Sequence, residues 1–204
     1  GAILPVTVDR ATLVAELTDG NRIYGEEAID LPRRTQREQI KEVFLVPHHQ
    51  ASISVYPPVL DAIRDADYIF IGPGDLFTSI IPNLIVPGVK DALNATCAKI
   101  YFTINIMTKF GETHNFSGKD FINKIEGCLG RQFDGVIGNS TKPAQHVLDK
   151  YSEQKSDFVH IDPTDSFWEK CEFHFSDVLD SNTMIARHDP KKLSRIIQKI
   201  ICQD

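Results

Sequence analysis

Three short polar segments carry the groups with which this chain could bind a small molecule. Residues 72–79 supply glycines, a carboxylate and two hydroxyls, and residues 105–114 gather amide, hydroxyl, carboxylate and ammonium groups. Residues 139–142 add an amide, two hydroxyls and a lysine. Glycines let backbone amides approach a ligand, and hydroxyl and amide groups hydrogen-bond to oxygen. The three segments together predict a site for a polar, phosphorylated small molecule.

Each segment also has a structural interpretation, which the residues alone leave open. The Gly-Pro-Gly turn at residues 72–74 can serve as a strand exit, and residues 105–114 can form an ordered loop that caps the next helix. Residues 139–142 can be a helix cap with a surface lysine. The first segment is not a Rossmann fingerprint, because Phe77 stands where the third glycine is needed, and the chain contains no Gly-Lys-Ser or Gly-Lys-Thr of a P-loop.

No catalytic residue is assigned, because the sequence has neither a Gly-x-Ser-x-Gly elbow nor a His-Glu-x-x-His helix. Asp75 and Glu112, on separate loops, could hold a magnesium ion through their carboxylate oxygens. Cys171 and His174 have the spacing of zinc ligands. No second pair accompanies them, which favours a packed thiol and a semi-exposed ring.

Basic residues occur at two further places. A polar connector at residues 32–39 holds three arginines, which are Arg33, Arg34 and Arg37. They could bind phosphate, although such charge runs are more often solvated loops. Near the end of the chain, Arg187 and His188 are polar groups without an assigned role, whereas Asp189 is explained as a helix cap before Pro190.

The elements that must position these segments alternate between helix and strand from Pro57 onward. Short apolar runs predict strands at residues 68–71, 99–104, 133–137 and 158–161. Helical spacing and start signals predict helices that begin at Pro57, cover residues 83–94, begin at Ser117, cover residues 143–151 and begin at Asp189-Pro190. This order predicts an α/β layered domain with a mostly parallel sheet, whose ligand crevice lies beyond the carboxyl ends of the strands.

The first part of the chain has a different pattern. Residues 3–8, 12–17, 22–26 and 40–46 are predicted strands, and the Asp19-Gly20 pair between two of them is a hairpin signal. We therefore expect an antiparallel hairpin near the N-terminus.

Composition excludes several classes of protein. The chain has 204 residues, 42% of them hydrophobic, and a net charge of −6, which argues against a surface built for nucleic acid or anionic lipid. The longest apolar stretch, residues 80–89, is interrupted by prolines and glycine and is too short to span a bilayer. Four scattered cysteines do not form a disulfide framework, so a reducing cytoplasm is expected. The chain starts at glycine without a signal-peptide pattern, which suggests that it begins partway through a longer gene product.

Read in order, these segments resemble the YvcK-like proteins, or gluconeogenesis factors, within the wider group that includes the CofD 2-phospho-L-lactate transferases. The most specific part is residues 72–84, and the resemblance covers essentially the whole chain. The other matching positions are Leu4-Pro5-Val6-Thr7, Asp19-Gly20, Gly25-Glu26, Ala66-Asp67, Asn105, Met107-Thr108, Gly111-Glu112-Thr113 and Arg187-His188-Asp189-Pro190.

The resemblance implies a Rossmann-like three-layer α/β domain over residues 1–204, a cytoplasmic location and a nucleotide or nucleotide-sugar ligand. It implies a regulatory protein that binds a UDP-sugar and links carbon metabolism to cell-wall synthesis and cell shape. The ligand-binding residues expected from the resemblance together with the three polar segments are Gly72, Pro73, Gly74, Asp75, Thr78, Ser79, Asn83, Asn105, Thr108, Gly111, Glu112, Thr113, Asn139 and Lys142.

Two alternatives stay open. One is a CofD-type transferase that uses magnesium to move a 2-phospholactyl group from a guanosine diphosphate derivative to a deazaflavin. The other is a ligand-free scaffold or oligomerisation domain that forms a homo-oligomer.

The sequence departs from the pattern that it resembles in three respects. Asp75 stands where serine is usual, and Lys109-Phe110 stands where Gln-Pro is usual. A glycine-rich Gly-Gly-Gly-Thr-Gly loop on the first strand has no counterpart here, so we expect the chain to correspond to the later portion of the family domain. Because a carboxylate repels phosphate, Asp75 is expected to point away from a phosphate, bind a sugar hydroxyl or meet a metal ion.

Overall fold

Two β-sheets organise the chain in a computed structural model, which describes residues 1–31 and 36–202. An antiparallel sheet has the order β2-β1-β3 and consists of β1 (Ala11–Leu17), β2 (Arg22–Tyr24) and β3 (Ile40–Pro47). A parallel sheet has the order β4-β5-β6-β7 and consists of β4 (Tyr68–Ile71), β5 (Lys99–Thr103), β6 (Gly135–Asn139) and β7 (Glu172–Ser176). The predicted α/β class with a mostly parallel sheet is therefore confirmed.

Seven α-helices connect and cover the strands within the described ranges. They are α1 (Glu26–Asp30), α2 (Pro57–Arg64), α3 (Ile81–Leu84), α4 (Val89–Ala95), α5 (Gly118–Leu129), α6 (Gln145–Glu153) and α7 (Pro190–Ile201). A π-helical turn at Leu76–Ile80 precedes α3, and a short 3-10 helix at Ser166–Lys170 precedes β7. Helix α5 begins with the capping box of Ser117 and Asp120, and Asp189 caps α7, both as expected.

The hairpin near the N-terminus is confirmed, whereas the strand predicted before it is wrong. Asp19 accepts the backbone N–H of Asn21, and Gly20 has a φ of 83°, which a tight turn between β1 and β2 requires. Residues 3–8 form no strand and are mostly exposed. Their backbone contacts residues 54–56, since Tyr56 donates its N–H to the Val6 carbonyl at 2.8 Å. Apolar composition alone therefore overstated the tendency of this segment to form a strand.

The parallel sheet is the middle of three layers. In β5, Ile100 and Phe102 belong to the large apolar core that includes buried residues of α4 and α5. Tyr101 points to the opposite face and joins a second cluster with Ile197 and Ile200 of α7. The alternation of side chains along β5 therefore places helices on both faces of the sheet, as the Rossmann-like expectation required.

The fourth parallel strand lies later in the chain than predicted. Residues 158–161 form only an isolated bridge, between Phe158 and Met107, and the strand that pairs with β6 is β7. An edge strand of a sheet does not need a continuous apolar run, and β7 alternates polar and aromatic residues. One of its rings, Phe173, stacks on Trp168 with the ring centroids 4.3 Å apart.

The helix predicted over residues 83–94 is two helices. The chain turns at Gly88, whose φ of 97° belongs to the left-handed region, so α3 ends before this residue and α4 begins after it. No single helix of the described ranges has the length and apolar character needed to cross a membrane. One pair of helical segments has that length and apolar character only when its two members are counted together. The pair is Leu76–Leu84 and Val89–Ala95, and it is bent by 72°.

Candidate functional site

A cleft of about 500 Å³ opens beside the loops that follow β4 and β5. Parallel strands end at the same edge of their sheet, so the segments after β4 and β5 meet there. The lining residues come from four parts of the chain and are Pro73, Gly74, Asp75, Asn105, Ile106, Met107, Thr108, Lys109, Tyr151, Gln154, Ser156, Ala186, Arg187 and His188. Five of the residues expected from the sequence line this cleft, namely Pro73, Gly74, Asp75, Asn105 and Thr108.

Asn105 fastens the loop after β4 to the end of β5. Its side-chain N–H donates to the Gly74 carbonyl at 2.9 Å, and its side-chain oxygen accepts the Gly74 N–H at 3.4 Å. The amide is thereby used to hold the loop backbone in place at the cleft wall. Asn105 consequently positions Gly74 and Asp75, in addition to lining the cleft itself.

A partly buried charge cluster lies at the cleft and centres on Lys109. The Lys109 Nζ contacts a carboxylate oxygen of Asp30, lies 2.7 Å from Asp75 Oδ2 and lies 3.2 Å from Glu112 Oε1. Asp75 and Lys109, two positions at which the sequence departs from the pattern that it resembles, are therefore direct partners. The contact of Asp75 with the Lys109 ammonium was not among the three outcomes expected for this carboxylate.

Glu112 is the most buried member of the charge cluster, with only 1% of its side chain exposed. Its Oε2 accepts the backbone N–H of Phe77 at 3.3 Å, at the start of the π-helical turn. Burial raises the pKa of Glu112 to about 7, and the nearby Lys109 opposes this only in part. Burial acts to lower the pKa of Lys109, but its hydrogen bonds to Asp30 and Asp75 outweigh burial and raise that pKa above its ordinary value.

Asp30 and Arg37 complete the charged surroundings, and neither was among the expected ligand-binding residues. Asp30 is the last residue of α1, and no motif in the sequence indicated its role. Arg37 donates from Nη1 to the Ile29 carbonyl at 2.7 Å, while its buried Nε and Nη2 have no hydrogen-bond partner. Burial lowers the pKa of Arg37, and the neighbouring Glu112 raises it. Arg33 and Arg34, which the sequence suggested for phosphate binding, lie outside the described residues.

The charge cluster allows a direct test of the magnesium expectation. Oxygens of Asp30, Asp75 and Glu112 lie within 4.8 Å of one another, and this is the only group of three or more such ligands in the part of the chain that the structure describes. Carboxylate oxygens at that spacing suit a hard divalent cation. Here the Lys109 ammonium lies among them, so the residues as arranged do not fit a magnesium ion.

Thr108 and three other expected residues are buried and stabilise the loops. The Thr108 N–H donates to the Asp157 carbonyl at 2.7 Å, and the Thr108 hydroxyl accepts the Asp157 N–H at 2.8 Å. The Thr113 hydroxyl accepts the Lys109 N–H at 3.0 Å, and the amide of Asn139 binds the backbone of residues 141 and 178. Gly111 has a φ of 83°, which allows the sharp turn between Lys109 and Glu112.

The remaining expected residues lie away from the wall of the cleft. Thr78 donates its hydroxyl to Asp30 at 3.4 Å, on the side of the charge cluster. Asn83 is exposed and donates to the Ser79 carbonyl at 2.6 Å, one turn earlier. Gly72 precedes the cleft-lining Pro73. Lys142 lines a second cleft of about 370 Å³, together with residues of α6.

Sequence reasoning left two important cleft residues unassigned, Arg187 and His188. They follow a loop whose two ends pair through an isolated bridge between Leu179 and His188. Burial lowers the pKa of His188, so its ring is neutral at neutral pH, and its Nε2 has no hydrogen-bond partner. Arg187 stays exposed beside it. The Arg187-His188 pair in the sequence was the available signal, but nothing local connected it to loops more than 70 residues earlier.

Comparison with known proteins gives one consistent family. Residues 1–179 match the family 2-phospho-L-lactate transferase CofD. A putative gluconeogenesis factor from Thermotoga maritima is 38% identical over 204 residues, covering 98% of this chain and 62% of that protein. The gluconeogenesis factor of Bacillus subtilis is 32% identical over 202 residues, with coverage of 98% and 62%.

A solved structure extends this similarity to the fold. The crystal structure of a Bacillus halodurans protein of the UPF0052 family superposes with a TM-score of 0.86 at 30% identity, covering 97% of this chain and 62% of that one. The chain thus spans less than two thirds of the length of these relatives.

Proposed function

The chain belongs to the CofD family and is similar to its gluconeogenesis factors, and from this premise we propose that it is a regulatory protein that binds a nucleotide-sugar of the UDP-sugar type. In this proposal the cleft beside β4 and β5 receives the ligand. Occupancy of the cleft would report the supply of sugar nucleotides and so link carbon metabolism to cell-wall synthesis and cell shape, in the cytoplasm.

The observation that carries the proposal is the composition of the cleft. Its volume of about 500 Å³ lies within the range of small-molecule sites, which is roughly 300–1,000 Å³. The lining offers the permanent positive charge of Arg187, which suits a diphosphate because guanidinium donors match phosphate oxygens in pairs. It also offers Gln154, whose amide suits hydroxyl groups, and Tyr151, whose ring suits the face of a base.

The pairing of Asp75 removes an obstacle to this ligand. A free carboxylate at the cleft wall would repel a diphosphate. Because the Lys109 ammonium lies 2.7 Å from Asp75 Oδ2, part of this negative charge is offset within the protein. Asp75 can then accept a sugar hydroxyl, while Arg187, which lines the same cleft, meets the phosphates.

Calorimetric titration of the chain with UDP-N-acetylglucosamine, and separately with GDP, tests the proposal. We expect saturable binding of the uridine compound and weaker binding of the guanosine compound. Tight binding of GDP without binding of the uridine compound would contradict the proposal and favour a transferase. Absence of binding by both compounds, from a chain whose circular dichroism spectrum shows that it is folded, would also contradict it and favour the scaffold alternative.

Arg187→Ala identifies the residue that meets the diphosphate. Loss of a hydrogen bond to a charged group costs about 1.5–3 kcal/mol, so the dissociation constant should rise at least tenfold. Arg195→Ala is the matched control, because Arg195 is an exposed arginine of α7 that does not line the cleft. Equal affinities for the native chain and Arg187→Ala would place the phosphates elsewhere.

A further inference from the structure

We infer that Lys109 is a built-in cation that occupies a divalent-metal site and makes the site independent of metal. The ammonium group, rather than a bound ion, supplies the positive charge that the carboxylates of Asp30, Asp75 and Glu112 share. This inference goes beyond the proposed function, because it concerns the charge cluster next to the cleft and can be tested without any nucleotide.

The position of the Lys109 ammonium is the first support. Its Nζ reaches a carboxylate oxygen of Asp30, one of Asp75 at 2.7 Å and one of Glu112 at 3.2 Å. Those carboxylates come from α1, from the loop after β4 and from the loop after β5. One lysine thus joins three segments at a single point, which is the structural role that a bound metal ion would otherwise perform.

The state of Glu112 is the second and independent support. Its Oε1 is buried and has no hydrogen-bond donor, so the carboxylate oxygen turned toward the centre of the cluster has only the Lys109 charge for compensation. A buried carboxylate oxygen without a hydrogen bond is costly unless a cation neutralises it. Two of the three donors of the ammonium group go to Asp30 and Asp75. Its Nζ lies 3.2 Å from Glu112 Oε1 but 2.7 Å from Asp75 Oδ2, so Glu112 is less well satisfied than Asp75.

The geometry also explains why the native chain should not bind a metal ion. A divalent cation among the same oxygens would lie within a few ångströms of the Lys109 ammonium, and the two positive charges would repel. Arg37 adds to the repulsion, because its electrostatic interaction with Glu112 places a second positive charge near the site. Removal of the Lys109 ammonium should leave three oxygen ligands of the kind that Mg²⁺ and Mn²⁺ prefer.

Titration with Mn²⁺, followed by the paramagnetic resonance signal of the free ion, tests the inference on the native chain and on Lys109→Met. We expect the native chain to show only weak, unsaturated association and Lys109→Met to bind one Mn²⁺ at least tenfold more tightly. The gain should disappear in Lys109→Met combined with Asp75→Asn. Lys119→Met is the matched control, because Lys119 pairs with the single carboxylate of Asp165 and its loss should add no Mn²⁺ affinity.

Two results would overturn the inference. The first is tight Mn²⁺ binding by the native chain that Asp75→Asn abolishes, because Lys109 would then yield its place to a metal ion. The second is a folded Lys109→Met variant with no gain in Mn²⁺ affinity. If Lys109→Met does not fold, Lys109→Gln replaces it, and titration of the native chain against its own Asp75→Asn variant still distinguishes a lysine-filled site from a metal site.

Discussion

At the scale of single residues, the charge cluster places the Glu112 carboxylate where water is scarce. Glu112 is almost completely buried, yet it is ringed by Asp30, Asp75 and one ammonium group. The sequence suggested that Asp75 and Glu112 belong together, because each follows a predicted parallel strand. It could not suggest Asp30, since that residue comes from a different sheet region and only tertiary packing brings it within reach.

The raised pKa of Glu112 predicts how stability varies with pH. A carboxyl group with a pKa of about 7 in the folded chain and an ordinary value near 4.5 when unfolded binds more protons in the folded state between those pH values. Its contribution to stability is therefore fully present below pH 4.5 and is lost as the pH rises through 7. Glu112→Gln cannot ionise, so its stability relative to the native chain should increase between pH 5 and pH 8.

Urea unfolding at a series of pH values measures this effect. One pKa unit corresponds to about 1.4 kcal/mol, so a relative gain of roughly 1–3 kcal/mol is expected for Glu112→Gln. Glu153→Gln, which changes an exposed carboxyl group on α6, should show no such trend. A constant difference between Glu112→Gln and the native chain across this pH range would mean that Glu112 titrates normally.

At the scale of elements, strands β5 and β6 lie so close together that one position of β6 has no room for a side chain. Gly135 of β6 lies beside Tyr101 of β5, and an added Cβ would come within 2.1 Å of the Tyr101 ring. Tyr101 is itself buried and donates its hydroxyl to Glu172 at 2.8 Å, so it has little room to move. The glycine is therefore required by the close approach of two neighbouring strands.

Gly135→Ala should consequently destabilise the chain by about 1–3 kcal/mol, or more if the ring cannot shift. Gly127→Ala offers the opposite case, because Gly127 lies in α5 with nothing within 4 Å of the added methyl group. It should stabilise the chain by roughly 0.5–1 kcal/mol, since alanine is the better helix residue. Thermal unfolding of the two variants checks both signs, and a Gly135→Ala variant as stable as the native chain would refute the packing argument.

The elements also show where sequence patterns suffice and where they do not. Apolar runs located β4, β5 and, two residues too early, β6, because strands covered on both faces must be apolar throughout. Strand β7 was not predicted from the sequence, because an edge strand tolerates polar residues such as Glu172 and His174. Residues 158–161 have the apolar composition of a strand, but they form only an isolated bridge to Met107 and do not join the sheet.

At the scale of the whole molecule, the two sheets share one apolar core, and this connection creates the site. Leu13, Ala15 and Val43 of the antiparallel sheet belong to the same buried cluster as Phe77 and Phe102 of the parallel part. This packing carries α1, and with it Asp30, to the edge of the parallel sheet. The antiparallel sheet thus contributes to the charge cluster, which the pattern of each region taken separately could not reveal.

The net charge of −6 does not exclude an anionic ligand. Phosphate recognition needs local donors rather than a basic surface, and in the proposed site Arg187 would supply them. Sequence analysis identified two of the contributing loops from their position after apolar strands. It could not place Tyr151, Gln154 or Arg187 at the same cleft, because contacts between distant parts of the chain depend on the complete fold.

Chemical-shift mapping of the isotopically labelled chain with UDP-N-acetylglucosamine tests whether the cleft beside β4 and β5 binds a nucleotide-sugar, because it reports both binding and location. The account predicts saturable shifts concentrated in residues 73–75, 105–109 and 186–188, unchanged when EDTA replaces magnesium. Saturable shifts confined to other surfaces, such as the second cleft beside α6, would contradict the claim. So would a spectrum of a folded chain that does not respond to the ligand.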